Sequence, residues 1–209
     1  MNVNSVSGKN WKFKEFDYND LKELSEKHSL SEIVSKLVAI RKNNISNINL
    51  YLNPTIKNLL PNPYNIKDMK KAVERTYKSI KKSETIGIFG DYDVDGASST
   101  ALLSRYFISL NKKIITYIPD RKNEGYGPSI KGFNSLIKSG VNLIFTVDCG
   151  TLSFEPIIKA QQENVDVVVL DHHQSDAKIP NACAVVNPNR HDDTSNLNYL
   201  CAAGVCFMF

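Results

Sequence analysis

Hydrophobic positions along the chain follow two rhythms that meet near Thr85. In residues 17–43, Leu21, Leu24, Leu30, Ile33, Leu37 and Ile40 recur near helical spacing, with Ser29 and Ser31 as candidate caps. In residues 61–84, Met69, Val73, Tyr77 and Ile80 stand at i, i+4, i+8 and i+11, one face of a helix. Asparagine and proline punctuation from Asn43 to Pro63 separates these two segments. Beyond Thr85 the apolar residues gather into four short β-branched runs, at 86–89, 114–118, 143–147 and 167–170. The runs are continuous rather than alternating, which predicts strands buried on both faces. Helical patterns over 97–110, 129–139 and 153–163 fill the intervals. A strand every ~23–29 residues leaves room for a crossover helix, so the pattern predicts βαβ units. The expected fold is α/β, a mostly parallel sheet flanked by helices and preceded by a helical N-terminal region. Residues 1–84 are assigned to that region and residues 85–209 to the sheet domain.

Composition narrows the class. With 209 residues, 42% hydrophobic and 23% charged, the chain is globular and can bury a sizeable core. The opening "MNVNSVSGKNWKFKEF" has no apolar signal region, and no run approaches the ~20 apolar residues of a membrane span. Cytoplasmic residence without a membrane partner is the expectation. Cys149, Cys183, Cys201 and Cys206 form no CxxC pair, which argues against a zinc knuckle. They read as reduced, mostly buried thiols. Charge is uneven: residues 1–85 carry 16 Lys and Arg against 9 Asp and Glu, and residues 86–209 carry 10 against 13. A basic flank beside an acidic site suits a polyanion led toward bound metal. The alternative is that the lysines simply solubilise helices.

The chemistry gathers where the strands end. "IGIFGDYDVDG" places Asp91, Asp93 and Asp95 within five residues, and alternate side chains of an extended segment share one face. Carboxylates that close raise one another's pKa at a free-energy cost. The run at 143–147 leads to Asp148, and the run at 167–170 leads to Asp171, His172 and His173. The remaining strand leads to Pro119, Asp120 and Arg121. Ligands of open α/β sheets bind beyond the carboxyl ends of the strands, so these clusters share one crevice. A single acidic turn reads as a solvated loop, and Asp148 alone reads as a cap. Several at one sheet edge, joined by a His-His pair, predict a cation. Carboxylate with imidazole suits manganese, iron or zinc better than calcium. Five or more ligands predict two ions, ~3.5–4 Å apart, the apparatus of in-line attack on a phosphoryl centre.

"GDYDVDG", "EGYGPS", "TVDCG" and "DHH", continued by "NPNR" and "LCAAGV", resemble the DHH phosphoesterase superfamily, and within it the RecJ-type single-strand DNA exonucleases. The similarity covers essentially the whole chain. It implies a Mn2+- or Mg2+-dependent enzyme with two ions that degrades single-stranded DNA from the 5′ end in repair and recombination. By position, Asp91, Asp93, Asp95, Asp148 and His172 are the implied metal ligands. His173 is implied as a metal or scissile-phosphate contact, and Asp171 as the group that orients an imidazole. In "PDRKNEGYGPS", Gly125 and Gly127 allow close backbone approach, Arg121 can grip a phosphate, and Tyr126 can pack on sugar or base. The other reading of that segment is a surface loop held by a type II turn.

Two departures from the family pattern stand out. The family has "CGAGV" where this chain has Cys201, Ala202, Ala203, Gly204 and Val205, a mild change in packing. The family also continues with a further strand-end aspartate, a second α/β domain and an oligonucleotide-binding fold, whereas this sequence closes on the apolar "LCAAGVCFMF". That ending reads as a helix cut partway, with exposed apolar surface expected and a separate chain as one source of the missing part. Competing readings are an inactive remnant that binds metal or DNA weakly, and a DHH-type nanoRNase or cyclic-dinucleotide phosphodiesterase. A receiver-like switch shares the acidic strand ends but has no use for "DHH".

Overall fold

A computed structural model describes residues 3–4, 6–41 and 47–209. It divides into two compact units, residues 1–60 and residues 61–209. Among the described residues, no helix is long and apolar enough to cross a membrane.

The first unit opens with a short antiparallel pair, β1 (Val3–Asn4) and β2 (Asn10–Trp11), which the hydrophobic pattern does not predict. The helical stretch after it is two helices, α1 (Tyr18–His28) and α2 (Glu32–Ala39). Ser29 ends α1 in the left-handed region, and the Ser31 hydroxyl accepts from the Val34 amide to start α2. The break resets the helical phase. Leu24 is buried as expected, but in α2 the buried positions are Ser35 and Val38, while Ile33 and Leu37 face solvent. The expected loop from Asn43 to Pro63 lies outside the described residues up to position 46. Beyond it, two short helices appear, α3 (Ile48–Leu52) and α4 (Ile56–Leu59), capped by Asn47 and Thr55.

The second unit is a five-stranded, wholly parallel sheet in the order β4-β3-β5-β6-β7. Its strands are β3 (Ile86–Gly90), β4 (Ile114–Tyr117), β5 (Leu143–Val147), β6 (Asp166–Leu170) and β7 (Ala184–Val186). The last strand escapes the sequence pattern because only three residues carry it. The expectation of burial on both faces holds for β3 and β5, but β4 is an edge strand and is only partly buried. Alternate side chains feed two cores. Ile86, Ile88, Phe145 and Val168 pack with α5 (Met69–Lys82), α6 (Val94–Ser109) and α10 (Ala202–Met208). A one-turn helix, α7 (Arg121–Glu124), follows β4. Phe89, Ile144, Val167 and Val169 pack with α8 (Ile130–Lys138) and α9 (Phe154–Gln162). Three layers result. On α5 the buried row is Met69, Ala72, Thr76 and Ser79, so Tyr77 of the expected face is exposed. All four cysteines are free thiols; Cys149 and Cys206 are buried, Cys183 is half-buried and Cys201 is exposed.

One ion pair ties α5 to the far edge of the sheet. Arg190, 7% exposed, donates to Asp68 (2.6 Å) and to the Val185 carbonyl (2.6 Å), and forks onto Asp192. Arg190→Ala removes one of the two cationic partners of Asp68, leaving Lys71 at 2.8 Å, and a loss of about 2 kcal/mol is expected. Urea denaturation checks this, with the double variant Asp68→Asn/Arg190→Met expected to lose less.

Candidate metal centre

The strand order makes a switch point between β3 and β5: the chain leaves β3 for β4 on one side and returns to β5 on the other. Loops leaving β3 and β5 diverge there, opening a crevice at the carboxyl ends of the strands. Asp91 follows β3 directly and Asp148 follows β5 directly, so the topology sets both at its floor. Asp93 caps α6, its carboxylate accepting from the Gly96 amide at 2.9 Å. The turn is so tight that a Cβ at Gly96 would lie 2.5 Å from the Asp91 carbonyl oxygen. Asp148 itself adopts φ +60°, a left-handed backbone that a non-glycine residue holds only when its surroundings enforce it.

Asp91, Asp93 and Asp148 offer carboxylate oxygens within 4.8 Å of one another, and Asp148, His172 and His173 offer a second such trio. Asp148 belongs to both. It is 1% exposed, and neither of its oxygens has a hydrogen-bond donor. Nε2 of His172 lies 3.2 Å from Oδ1 but without hydrogen-bond alignment. Burial, then the neighbouring Asp93 and Asp95, push the Asp148 carboxyl up to about 8. Burial likewise raises Asp91, whereas the Gly96 amide holds Asp93 below the ordinary aspartate range. A buried carboxylate with no donor, shared between two groups of hard and borderline ligands, fits a divalent cation.

Asp95 is placed differently from its neighbours. Its two oxygens accept from the amides of Ala202 (2.7 Å) and Ala203 (2.8 Å), capping α10, while Oδ2 stays 3.5 Å from His172 Nε2. It borders the crevice and joins neither trio.

Asp171 is as buried as Asp148 but surrounded by donors. Oδ2 accepts from the Thr151 amide (3.0 Å). Oδ1 accepts from the amides of His172 (2.7 Å) and His173 (3.2 Å) and pairs with His173 Nδ1 (2.8 Å). Burial alone would raise its pKa, but the His173 and Thr151 hydrogen bonds outweigh it and hold the group at about 2. In return Asp171 raises His173. With Nδ1–H committed to Asp171, Nε2 is the free lone pair, and the Tyr126 hydroxyl sits 3.0 Å from it. Tyr126 is held over the site by a loop with positive φ at Gly125 and Gly127. Glu124 pins that loop through Tyr117 (2.7 Å) and Ser129 (3.1 Å). The Arg121 guanidinium stacks 4.7 Å from the ring of Tyr92, inside the acidic turn. Beside His173 a half-open cavity of about 570 Å³ runs from Tyr126 to Leu152 and Ser153 at the start of α9, large enough for a nucleotide-sized ligand.

Sequence reasoning missed the brace beneath the histidines. Asn187, fully buried, donates to the Thr151 hydroxyl (2.8 Å) and the His173 carbonyl (2.9 Å). Asn189 donates to the His172 carbonyl. The signal is present in "AVVNPNR": a fifth β-branched run with an asparagine turn at its carboxyl end.

Residues 85–209 match the DHH family, N-terminal domain. The chain belongs to the DHH family. It is 32% identical over 198 residues to the single-stranded-DNA-specific exonuclease RecJ of Bacillus subtilis, an alignment covering 94% of this chain and 25% of that protein. Exonuclease RecJ bound to manganese superposes with a TM-score of 0.62 at 29% identity, covering 68% of this chain and 36% of the other. RecJ in complex with Mn2+ from Thermus thermophilus shares the fold, with a TM-score of 0.71 at 22% identity over 92% of this chain and 26% of that one. This chain spans about a quarter of the length of the first of these relatives.

The raised Asp148 carboxyl sets a pH dependence. Its folded pKa lies above that of an unfolded aspartate, so ionising it opposes folding. Stability is expected to fall as pH rises from about 4 toward 8. A cation removes that loss and displaces the proton. The rise in melting temperature produced by Mn2+ is therefore expected to grow between pH 6 and 8, with proton release in calorimetry. Asp148→Asn is expected to abolish both effects.

Proposed function

We propose that this chain hydrolyses phosphodiester bonds of single-stranded DNA with two Mn2+ or Mg2+ ions, acting 5′→3′ in the cytoplasm. The observation that carries this reading is Asp148, whose buried, donor-free carboxylate is shared by two groups of ligands. Asp91, Asp93, Asp148 and His172 would hold the ions, with Asp95 at the border. The bound ions supply an ionised water and charge neutralisation at the attacked phosphate. The chain's own residues do the rest. Asp171 fixes the His173 ring so that Nε2 faces the crevice, where it meets a phosphate oxygen in place of the Tyr126 hydroxyl. Arg121 approaches phosphate and Tyr126 packs on sugar or base. The family resemblance and the RecJ relatives support the reaction and the substrate class. In this reading residues 85–209 are the DHH domain and residues 1–84 the helical region before it, of which α5 packs against the sheet.

A second reading, metal binding without hydrolysis, draws on Asp95, whose oxygens are engaged by the α10 amides. One experiment separates the two. With Mn2+, a 5′-labelled single-stranded oligonucleotide is expected to be shortened from its 5′ end, and Asp93→Ala/Asp95→Ala to abolish the activity. Asp171→Asn is expected to retain the fold and lose about 10- to 100-fold, the usual cost of freeing a site imidazole. No cleavage by a folded chain that still binds Mn2+ supports the second reading.

A further inference from the structure

Ahead of the first helix the chain reads Lys9, Asn10, Trp11, Lys12, Phe13, Lys14, with no acidic residue until Glu15. β2 holds Asn10 and Trp11 in a backbone pairing with β1, with Val3 opposite Trp11. From Lys12 to Phe16 the chain makes neither helix nor turn. Trp11 is 68% exposed and Phe13 90% exposed, although large aromatic side chains ordinarily reach the interior. They stand two residues apart, the spacing that sends side chains of an extended backbone to the same side, with Lys12 and Lys14 at the alternating positions. At about 3.3 Å per residue an extended backbone would set the Cα atoms of the two residues about 6.6 Å apart, room for each ring to take its own base.

Two exposed rings interleaved with cations have a particular chemical complement. A purely apolar partner would leave the lysines without counter-charge, and a folded acidic surface would leave the rings in water. A single strand of nucleic acid presents both a π face and a phosphate at every nucleotide. We propose that residues 9–14 are a binding platform for single-stranded nucleic acid, Trp11 and Phe13 stacking on bases while Lys12 and Lys14 meet the phosphates. The proposal rests on the reading of single-stranded DNA as the substrate, and it adds a second contact surface that the metal centre does not include. Because every base has a face to stack, the platform is indifferent to sequence.

Trp11 is the sole tryptophan, so its emission reports on this segment alone. The full chain, in EDTA to prevent cleavage, is titrated with oligothymidylate. Saturable quenching of Trp11 is expected, and Phe13→Ala is expected to weaken binding about tenfold. Lys12→Ala/Lys14→Ala is expected to lower the slope of log affinity against log salt by about 1.4, two phosphates' worth for a single strand. Absence of quenching overturns the proposal, as does equal quenching by inorganic polyphosphate, which has no bases. It is also overturned if Trp11 emission is already blue-shifted in the free protein and the chain sediments as a dimer, because a second copy then covers the rings. Cleavage of a short 5′-labelled oligonucleotide with Mn2+ is scored separately. Cleavage with a silent Trp11 rejects the platform alone, and quenching without cleavage rejects the hydrolase and keeps the platform.

Discussion

The site depends on one carboxylate that the protein leaves without a hydrogen-bond donor. Asp148 is almost fully buried, lies next to Asp91 and Asp93, and accepts no donor. Two unit charges about 4 Å apart repel by about 4 kcal/mol at an effective dielectric constant near 20. Desolvation adds to that, so without a cation the group keeps its proton near neutrality. The fold nevertheless forces it there. The left-handed backbone at Asp148, the parallel pairing of β5 with β3 and β6, and the switch in strand order leave the carboxylate nowhere else to point. A divalent cation reverses the balance, because the same low dielectric that penalises like charges strengthens their attraction to it.

Asp171 is the control built into the same crevice. It lies at the end of the adjacent strand, is just as buried, and differs in what faces it. Three amides and an imidazole donate to it, so it stays ionised down to about pH 2, while Asp148 rises to about 8. Burial cannot account for a difference of that sign; donors do. One acid is thereby a fixed anion hydrogen-bonded to His173, and the other a carboxyl that keeps its proton near neutrality unless a cation is supplied. Asn187 and Asn189 matter for the same reason. By gripping the backbone carbonyls of the two histidines, they keep the amides aimed at Asp171.

Much of this is legible in the sequence because strand ends carry short-range information. Continuous apolar runs locate β3, β5 and β6, and the acids immediately after them have to share one edge once the strands are parallel. Less is legible where a position depends on phase or on distant partners. Leu37 and Ile33 fit a helical stripe until the Ser29–Ser31 break shifts the phase by a fraction of a turn. The stripe on α5 points Tyr77 inward, but Ala72, Thr76 and Ser79 let that helix lie close to the sheet on their side instead. The α/β switch point itself is invisible to periodicity, since strand order is a property of tertiary packing. The strand-end rule puts Asp91, Asp93, Asp148 and the two histidines at one edge, and the resemblance to the DHH family adds the role expected of each.

Asp95 shows why a motif residue need not have one role. It lies in the first turn of α6, yet its carboxylate anchors the first amides of α10, more than a hundred positions later in the chain. Two hydrogen bonds occupy one lone pair on each oxygen and leave the others open, for a carboxylate accepts about four. The same group can therefore hold α10 and still border the crevice. Whatever steadies α10 against α6 keeps Asp95 within reach of His172. One side chain of α6 thus ties α10 to the border of the crevice.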